Sequence, residues 1–252
     1  MSVSYSATLI QETLESLERC LRAHDRESAV RAILAAVDQG LPVEDLHTNV
    51  LSPFLASVGR GWQEGRTAVW EEHLIVGAVR AAIEALYPRV LEQKERIEAV
   101  PMTVAFFCPP EETHDVGLRM LADLFDLRGF RTIYIGAGTP VHEMVACVRS
   151  VGASVICLSA STHFQKTALH HVITGLRSAL PDVRIVAGGP AFAAGVAAGA
   201  DWQDYVVDSL NELFDELTAR ARTGAAAPPA SPPADAAAPA TEGPSPQDGP
   251  DA

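Results

Sequence analysis

The 252-residue chain lacks the uninterrupted apolar run of roughly 18 residues that a membrane span needs, so no transmembrane helix is expected. Its start, MSVSYSATLIQETLESLERC, lacks the basic opening and apolar block of a secretory leader. The four cysteines, Cys20, Cys108, Cys147 and Cys157, form no Cys-x-x-Cys pair and read as buried free thiols of a cytoplasmic protein. Basic residues are scarce. Nineteen Lys and Arg against 32 Asp and Glu leave a net charge of −13. Such a body is not expected to bind nucleic acid directly, because neutralising phosphates needs a basic face, and no helix-turn-helix module is evident. The chain also lacks Gly-x-Gly-x-x-Gly, a phosphate-loop lysine, and the phospho-acceptor cluster of a receiver domain. No internal repeat is found.

What remains divides into three parts. Residues 5–97 have helical period: Leu14, Leu17 and Leu21, then Val30, Ile33, Leu34 and Val37 after the cap-like Asp25. A third segment runs from about Pro42 to Trp62, and a fourth from about Ala68 to Leu91. Short joints at His24-Asp25, Gly40-Leu41 and Gly65-Arg66 suggest an antiparallel four-helix bundle. Residues 101–222 alternate strand and helix. Strands are expected at Thr103–Cys108, Thr132–Ile135, Val155–Ser159, Val183–Ala187 and Tyr205–Val207, with helices at 115–127, 141–151, 166–179, 191–198 and 209–221. Strands such as VAFF and VICLS are apolar on both faces, as in a parallel sheet covered on both sides. The fold class is therefore α/β, a four-helix bundle followed by a doubly wound, flavodoxin- or Rossmann-like parallel sheet. Residues 224–252 are Ala/Pro-rich, contain Asp235, Glu242, Asp248 and Asp251 but no Lys or Arg, and are expected to be disordered.

In a doubly wound sheet, ligands bind beyond the carboxyl ends of the strands. Three signals fall there. Glu112-Thr113-His114-Asp115-Val116-Gly117 follows the first strand, Ser159-Ala160-Ser161 ends the third, and Gly188-Gly189 ends the fourth. Residues 118–158 separate the first two, and 162–187 the last two. A loop histidine can ligate a metal as a neutral imidazole if its second nitrogen finds an acceptor, here Glu112 or Asp115. Together these elements resemble the cobalamin-binding signature [D/E]-x-H-x-x-G … S-x-[L/T/S] … G-G. The resemblance implies that His114 ligates cobalt in place of the corrinoid's own base, and favours Glu112 as its partner. It implies that Gly117 lets the corrin approach. It also implies that Gly188 and Gly189 clear a slot for the displaced base, with the hydroxyls of Ser159 and Ser161 bonding that tail.

The helical half carries a second signature. Trp62 is followed by residues 63–71 and then Glu72-His73. This Trp-x9-Glu-His pattern resembles the helical cap of the cobalamin-dependent photoreceptor regulators, the CarH-type family. The resemblance implies a lid. Trp62 lies over the upper corrin face against a 5′-deoxyadenosyl group, Glu72 accepts from its ribose hydroxyls, and His73 contacts the upper face. From this motif alone, Trp62 reads as bundle core and Glu72-His73 as helix surface; the cobalamin signature in the next domain reverses that choice. Two departures stand out. Gln63 replaces the histidine that supplies the upper ligand after illumination in DNA-binding members, leaving His73, His163 or water for that place. Ser161 stands where leucine is commoner.

The resemblance thus implies a cobalamin-binding light sensor that is not an enzyme, uses adenosylcobalamin, and signals through self-association or a protein partner, without its own DNA-binding domain or membrane contact. The related photocobilins add a bilin. His163, in Thr162-His163-Phe164, and the pair His170-His171 leave room for biliverdin as a second chromophore. The rivals are a corrinoid carrier protein of a methyltransferase system and a light-independent cobalamin-sensing module. A mutase subunit is disfavoured, since the chain has no barrel-sized substrate domain.

Overall fold

A computed structural model describes residues 3–161, 165–192, 206 and 209–224. Five α-helices form the amino-terminal part: α1 (Val3–Arg22), α2 (Arg26–Asp38), α3 (Val43–Asp45), α4 (Ser52–Gln63) and α5 (Val69–Lys94). A π-helical stretch, Leu46–Leu51, joins α3 to α4, so the third expected helix is one rod with a widened middle. Asp25 caps α2 by accepting from the Ser28 amide at 2.9 Å, as its cap-like position suggests. Glu71 closes the start of α5, its carboxylate accepting from the Ala68 amide at 2.8 Å. The bundle buries Leu17, Ile33, Leu46, Leu51, Phe54, Ile83 and Leu86 in one core, into which Val116 and Met120 of the next domain also reach. Bundle and sheet domain therefore share a core.

The second part builds β1 (Thr103–Phe107), α6 (Val116–Asp126), β2 (Arg131–Gly136), α7 (Val141–Val151), β3 (Val155–Ser159), α8 (Gln165–Ala179), β4 (Arg184–Gly188) and α9 (Leu210–Thr223). The sheet is parallel in the order β2-β1-β3-β4. Such an order places the switch between outward-running connections at β1 and β3, where open α/β sheets hold ligands. The central strand β3 is buried at every position, which matches its unbroken apolar sequence. One face rests on Phe106, Phe125, Phe130 and Phe214, with the Phe125 ring 5.2 Å from Phe106, 5.2 Å from Phe130 and 4.8 Å from Phe214. Burying each such ring contributes about 1.5–3 kcal/mol. The other face packs Ile156, Leu158, Leu169, Ile173 and Ile185.

Of the expected fifth strand, Val206 makes a single parallel bridge to Ala187, and its neighbours lie outside the described residues. The helix expected at 191–198 begins as a 3₁₀ turn, Pro190–Phe192, and the rest also lies outside them, as do His163 and residues 225–252. β4 is shifted by one residue from Val183–Ala187, because the Val183 amide closes a turn onto the Leu180 carbonyl instead of entering the strand. Among the described residues, no helix is long and apolar enough to cross a membrane.

Between bundle and sheet, α5 runs alongside α6 with charges that alternate in sign. Arg80 pairs with Asp115, Glu84 with Arg119, and Lys94 with Asp126. Arg119 lies over the Tyr87 ring, 4.6 Å from its centre, and also pairs with Asp123, which is fully buried. Asp123 in turn meets His47 Nε2 at 3.0 Å, from the π-helical stretch. Arg128 reaches back to Glu44 with two bonds, 2.9 and 2.6 Å long.

Candidate functional site

The loop after β1 carries His114 at the carboxyl edge of the sheet. Glu112 is fully buried and uses both oxygens. One accepts from the His114 amide and lies 2.8 Å from the ring Nδ1, and the other accepts from the Ser161 amide at 2.7 Å. Burial pushes the Glu112 carboxyl upward, but the bonds from the His114 ring and amide and from Ser161 outweigh it and hold the group down to about 2. An ionised Glu112 can only accept, so Nδ1 must carry the proton. That fixes the tautomer and leaves Nε2 as the lone-pair nitrogen, on a ring that is 55% exposed. The bond to Glu112 also raises the His114 pKa. Burial opposes it, and the charges of Glu112, Glu72 and Asp115 add to it.

Glu112 is therefore the acceptor of the two open in the sequence. Asp115 turns elsewhere, accepting from Arg80 and from the Tyr134 hydroxyl at 2.7 Å. The two serines stand differently at this edge. Ser161 contributes its backbone N–H to Glu112, while Ser159 is buried at the end of β3. The two glycines also differ. A Cβ added at Gly188 would meet nothing within 4 Å, as would one at Gly117, so both leave open space along the edge. Gly189 has φ +101°, and a Cβ there would lie 2.5 Å from the Ala160 carbonyl oxygen. Its lack of a Cβ lets the end of β4 pack closely on the end of β3.

In the bundle, Trp62 ends α4 with 49% of its surface exposed, which removes the reading of Trp62 as bundle core. Val69 and Trp70, at the start of α5, are also exposed. Trp70 stands edge-on to the His24 ring, 4.8 Å between centres, and His24 in turn meets Glu71 at 3.1 Å. Glu72 is mostly buried and acts on His114 through space, whereas His73 is largely exposed, 3.5 Å from Glu72. The Glu-His turn of α5 and the histidine loop thus lie on the same side of the molecule. His170 is half-buried and His171 exposed on α8. Sequence reasoning missed Arg80 and Tyr134. Arg80 lies eight residues beyond Glu72 on the same helix, hence on nearly the same face, which is the one signal that was available.

Among the described residues, an open doubly wound edge, the tautomer-fixed imidazole of His114 and an adjoining helical bundle define an α/β protein with a histidine available for ligation at the carboxyl end of its sheet. Two family models, each described as a B12 binding domain, match residues 102–214 and residues 13–87. The chain belongs to the cobalamin-binding proteins. It is 28% identical to the HTH-type transcriptional repressor CarH of Myxococcus xanthus over 184 residues, 73% of this chain and 58% of the repressor. The chain thus spans less than two thirds of that relative's length. It is 23% identical to monomethylamine corrinoid protein 2 of Methanosarcina acetivorans over 60% of this chain and 69% of that protein. The fold matches the Methanosarcina barkeri monomethylamine corrinoid protein with a TM-score of 0.67 at 16% identity, covering 85% of this chain and 99% of that one.

The residues fit the group. His114 offers Nε2, Glu112 fixes its tautomer, and Gly117 and Gly188 leave the space a side chain would fill.

Proposed function

We propose that this chain is a light-responsive sensor that uses adenosylcobalamin and does not turn over a substrate. The observation that carries the reading is the half-exposed Trp62 near the end of α4, beside a histidine loop whose imidazole is fixed by the buried Glu112. An exposed indole of this size is costly in water and makes sense as a cover. When bound, adenosylcobalamin supplies an organocobalt bond that green light breaks. His114 would hold the corrinoid through Nε2. Trp62 would exclude water from the bound group, and Glu72 would accept hydrogen bonds from its hydroxyls. Loss of a group packed against Trp62 would free the start of α5 and let the bundle move against the sheet domain. The signal leaves through self-association or a protein partner. The two states need different contacts with the ligand for light to shift their balance.

The test is an absorption spectrum and a size measurement on the adenosylcobalamin-loaded chain, in the dark and after green light. A His-ligated dark spectrum, an irreversible change in light, and an altered size or compactness support the sensor. Bleaching without any change in size or compactness overturns it. Biliverdin as a second chromophore adds a long-wavelength band to the same dark spectrum, and its absence after loading with biliverdin removes that part of the reading.

A second reading, a corrinoid carrier of a methyltransferase system, is favoured by the likeness to monomethylamine corrinoid protein 2. It expects methyl transfer from a partner enzyme onto the bound corrinoid and no response to light beyond that of free cofactor. Partner binding that follows cobalamin equally in dark and light would mark a light-independent sensor.

A further inference from the structure

Asp115 occupies the N-cap position of α6, where aspartate ordinarily accepts a hydrogen bond from a first-turn amide. Here its side chain makes no such bond. The carboxylate accepts from Arg80 of α5 and, at 2.7 Å, from the Tyr134 hydroxyl of β2. The backbone makes room for this arrangement. Gly136 has φ +86°, and a Cβ there would lie 2.9 Å from Asp115 Oδ2 and 3.0 Å from the Tyr134 hydroxyl oxygen. A strong capping residue has thus been diverted from its own helix to an ion pair between domains. Such local departures from the best capping choice mark functional positions.

The diverted residue directly follows His114. On the other side, Glu112 is anchored to the sheet domain by the Ser161 amide. His114 therefore sits between two carboxylates, one fixed within the sheet domain and one shared between Tyr134 of the sheet and Arg80 of the bundle. Arg80 lies on the helix whose start carries Glu72, which also acts on the His114 ring.

We propose that Arg80 is a positioning residue. Through Asp115 it ties the His114 loop to the bundle, so that corrinoid ligation by His114 and docking of the bundle on the sheet domain favour each other. The inference rests on cobalamin binding through His114 and is independent of light. Two arrangements of one side chain supply the switch: Asp115 latched to Arg80, or Asp115 released to cap α6. Releasing the latch turns the loop and moves His114. Thermodynamic linkage makes the coupling reciprocal, so ligation must also tighten the latch.

The test uses the full chain as wild type, Arg80→Gln, Arg80→Lys, Asp115→Asn and the Arg80→Gln/Asp115→Asn double variant, each loaded with adenosylcobalamin in the dark. The His-ligated fraction of bound corrinoid is read from absorption. Amide hydrogen exchange is followed in residues 76–94 and 109–127. In the wild type, loading should slow exchange in both regions. In Arg80→Gln, the ratio of His-ligated to unligated bound corrinoid should fall at least about fivefold, the lower end of typical couplings. Loading should then no longer protect residues 76–94. Arg80→Lys should recover part of both signals, and the double variant should be no worse than Arg80→Gln. A wild-type His-ligated fraction with full protection of 76–94 in Arg80→Gln overturns the proposal, as does an additive double variant. A wild-type chain that binds adenosylcobalamin without a His-ligated spectrum overturns the underlying reading and the latch with it.

Discussion

Gly188 and Gly189 are neighbours with opposite surroundings: a side chain at Gly188 would stand in open space, whereas one at Gly189 would strike the Ala160 carbonyl oxygen. Gly189 also holds a left-handed backbone that L-residues resist. Gly189→Ala should therefore lower stability by more than about 1 kcal/mol, with cobalamin binding lost only as folding is lost. Gly188→Ala should leave the urea midpoint within about 0.5 kcal/mol of wild type yet weaken cobalamin binding, because its methyl projects into the open edge. Denaturation and absorbance titrations on both variants check this, and the reverse pattern would refute the assignment.

The second prediction concerns the histidine's partner. Glu112→Ala removes both the acceptor that fixes the Nδ1 proton and the oxygen that accepts from the Ser161 amide. Losing such a supporting carboxylate ordinarily costs about 10–100-fold in metal affinity. Cobalamin affinity should fall by that order, with a smaller His-ligated fraction, while Glu112→Gln, which can still accept at its oxygen, should fall less. Equal affinity in all three chains would show that the dyad does not serve ligation.

The Glu44–Arg128 fork makes a prediction about acid. The hydrogen bond from Arg128 holds the Glu44 carboxyl below its usual value, with burial opposing. A carboxyl lowered on folding contributes stability above its unfolded pKa, about 4.3, and loses that contribution as pH falls through the folded value. The stability difference between wild type and Glu44→Gln should be flat from about pH 7 to pH 5 and vanish in stronger acid. Because the pair is partly exposed, the difference should also shrink in high salt. Urea midpoints at several pH values measure it, and a difference that grows on acidification would contradict the pair's role.

Thiol reactivity supplies the fourth. Burial pushes the Cys108 thiol up to about 12, and the charges of Glu112 and Asp115 add to the shift. At pH 8 Cys108 therefore stays almost wholly in its unreactive thiol form. Cys157 is also raised by burial, whereas Cys20 and Cys147 are partly accessible. Iodoacetamide on the native chain should label Cys20 and Cys147 and spare Cys108 and Cys157, as peptide mass spectrometry would show. Early labelling of Cys108 would mean that the floor of the histidine loop opens.

Local features were legible in the sequence. The apolar strands around Val104 and Ile156 could only be central in a parallel sheet, and Asp25 announced the start of α2 because capping is a local event. His114, Gly117, Ser159 and Gly188 all reached one edge, since strand ends are set by the same patterns that set the strands. What stayed hidden was decided by distant partners. Nothing near Arg80 says that it will meet Asp115, 35 positions away. The hydroxyl of Tyr134 and the buried His47–Asp123 pair are invisible for the same reason. The π-helical stretch at Leu46–Leu51 has no composition that distinguishes it from an ordinary helix. Only the backbone conformation separates Gly189 from Gly188, and the sequence does not display it.

The alternation of charge between α5 and α6 limits how the two domains can move. A slide by one helical turn in one direction would bring Arg80 opposite Arg119 and Glu84 opposite Asp123. A slide in the other direction would set Glu84 against Asp115. Like charges would meet either way, so translation along the interface is penalised at every step. Separation from one end meets no such penalty, since each rung can exchange its partner for water in turn. A single spacing of charges therefore sets one register for the interface and opposes shear more than hinging.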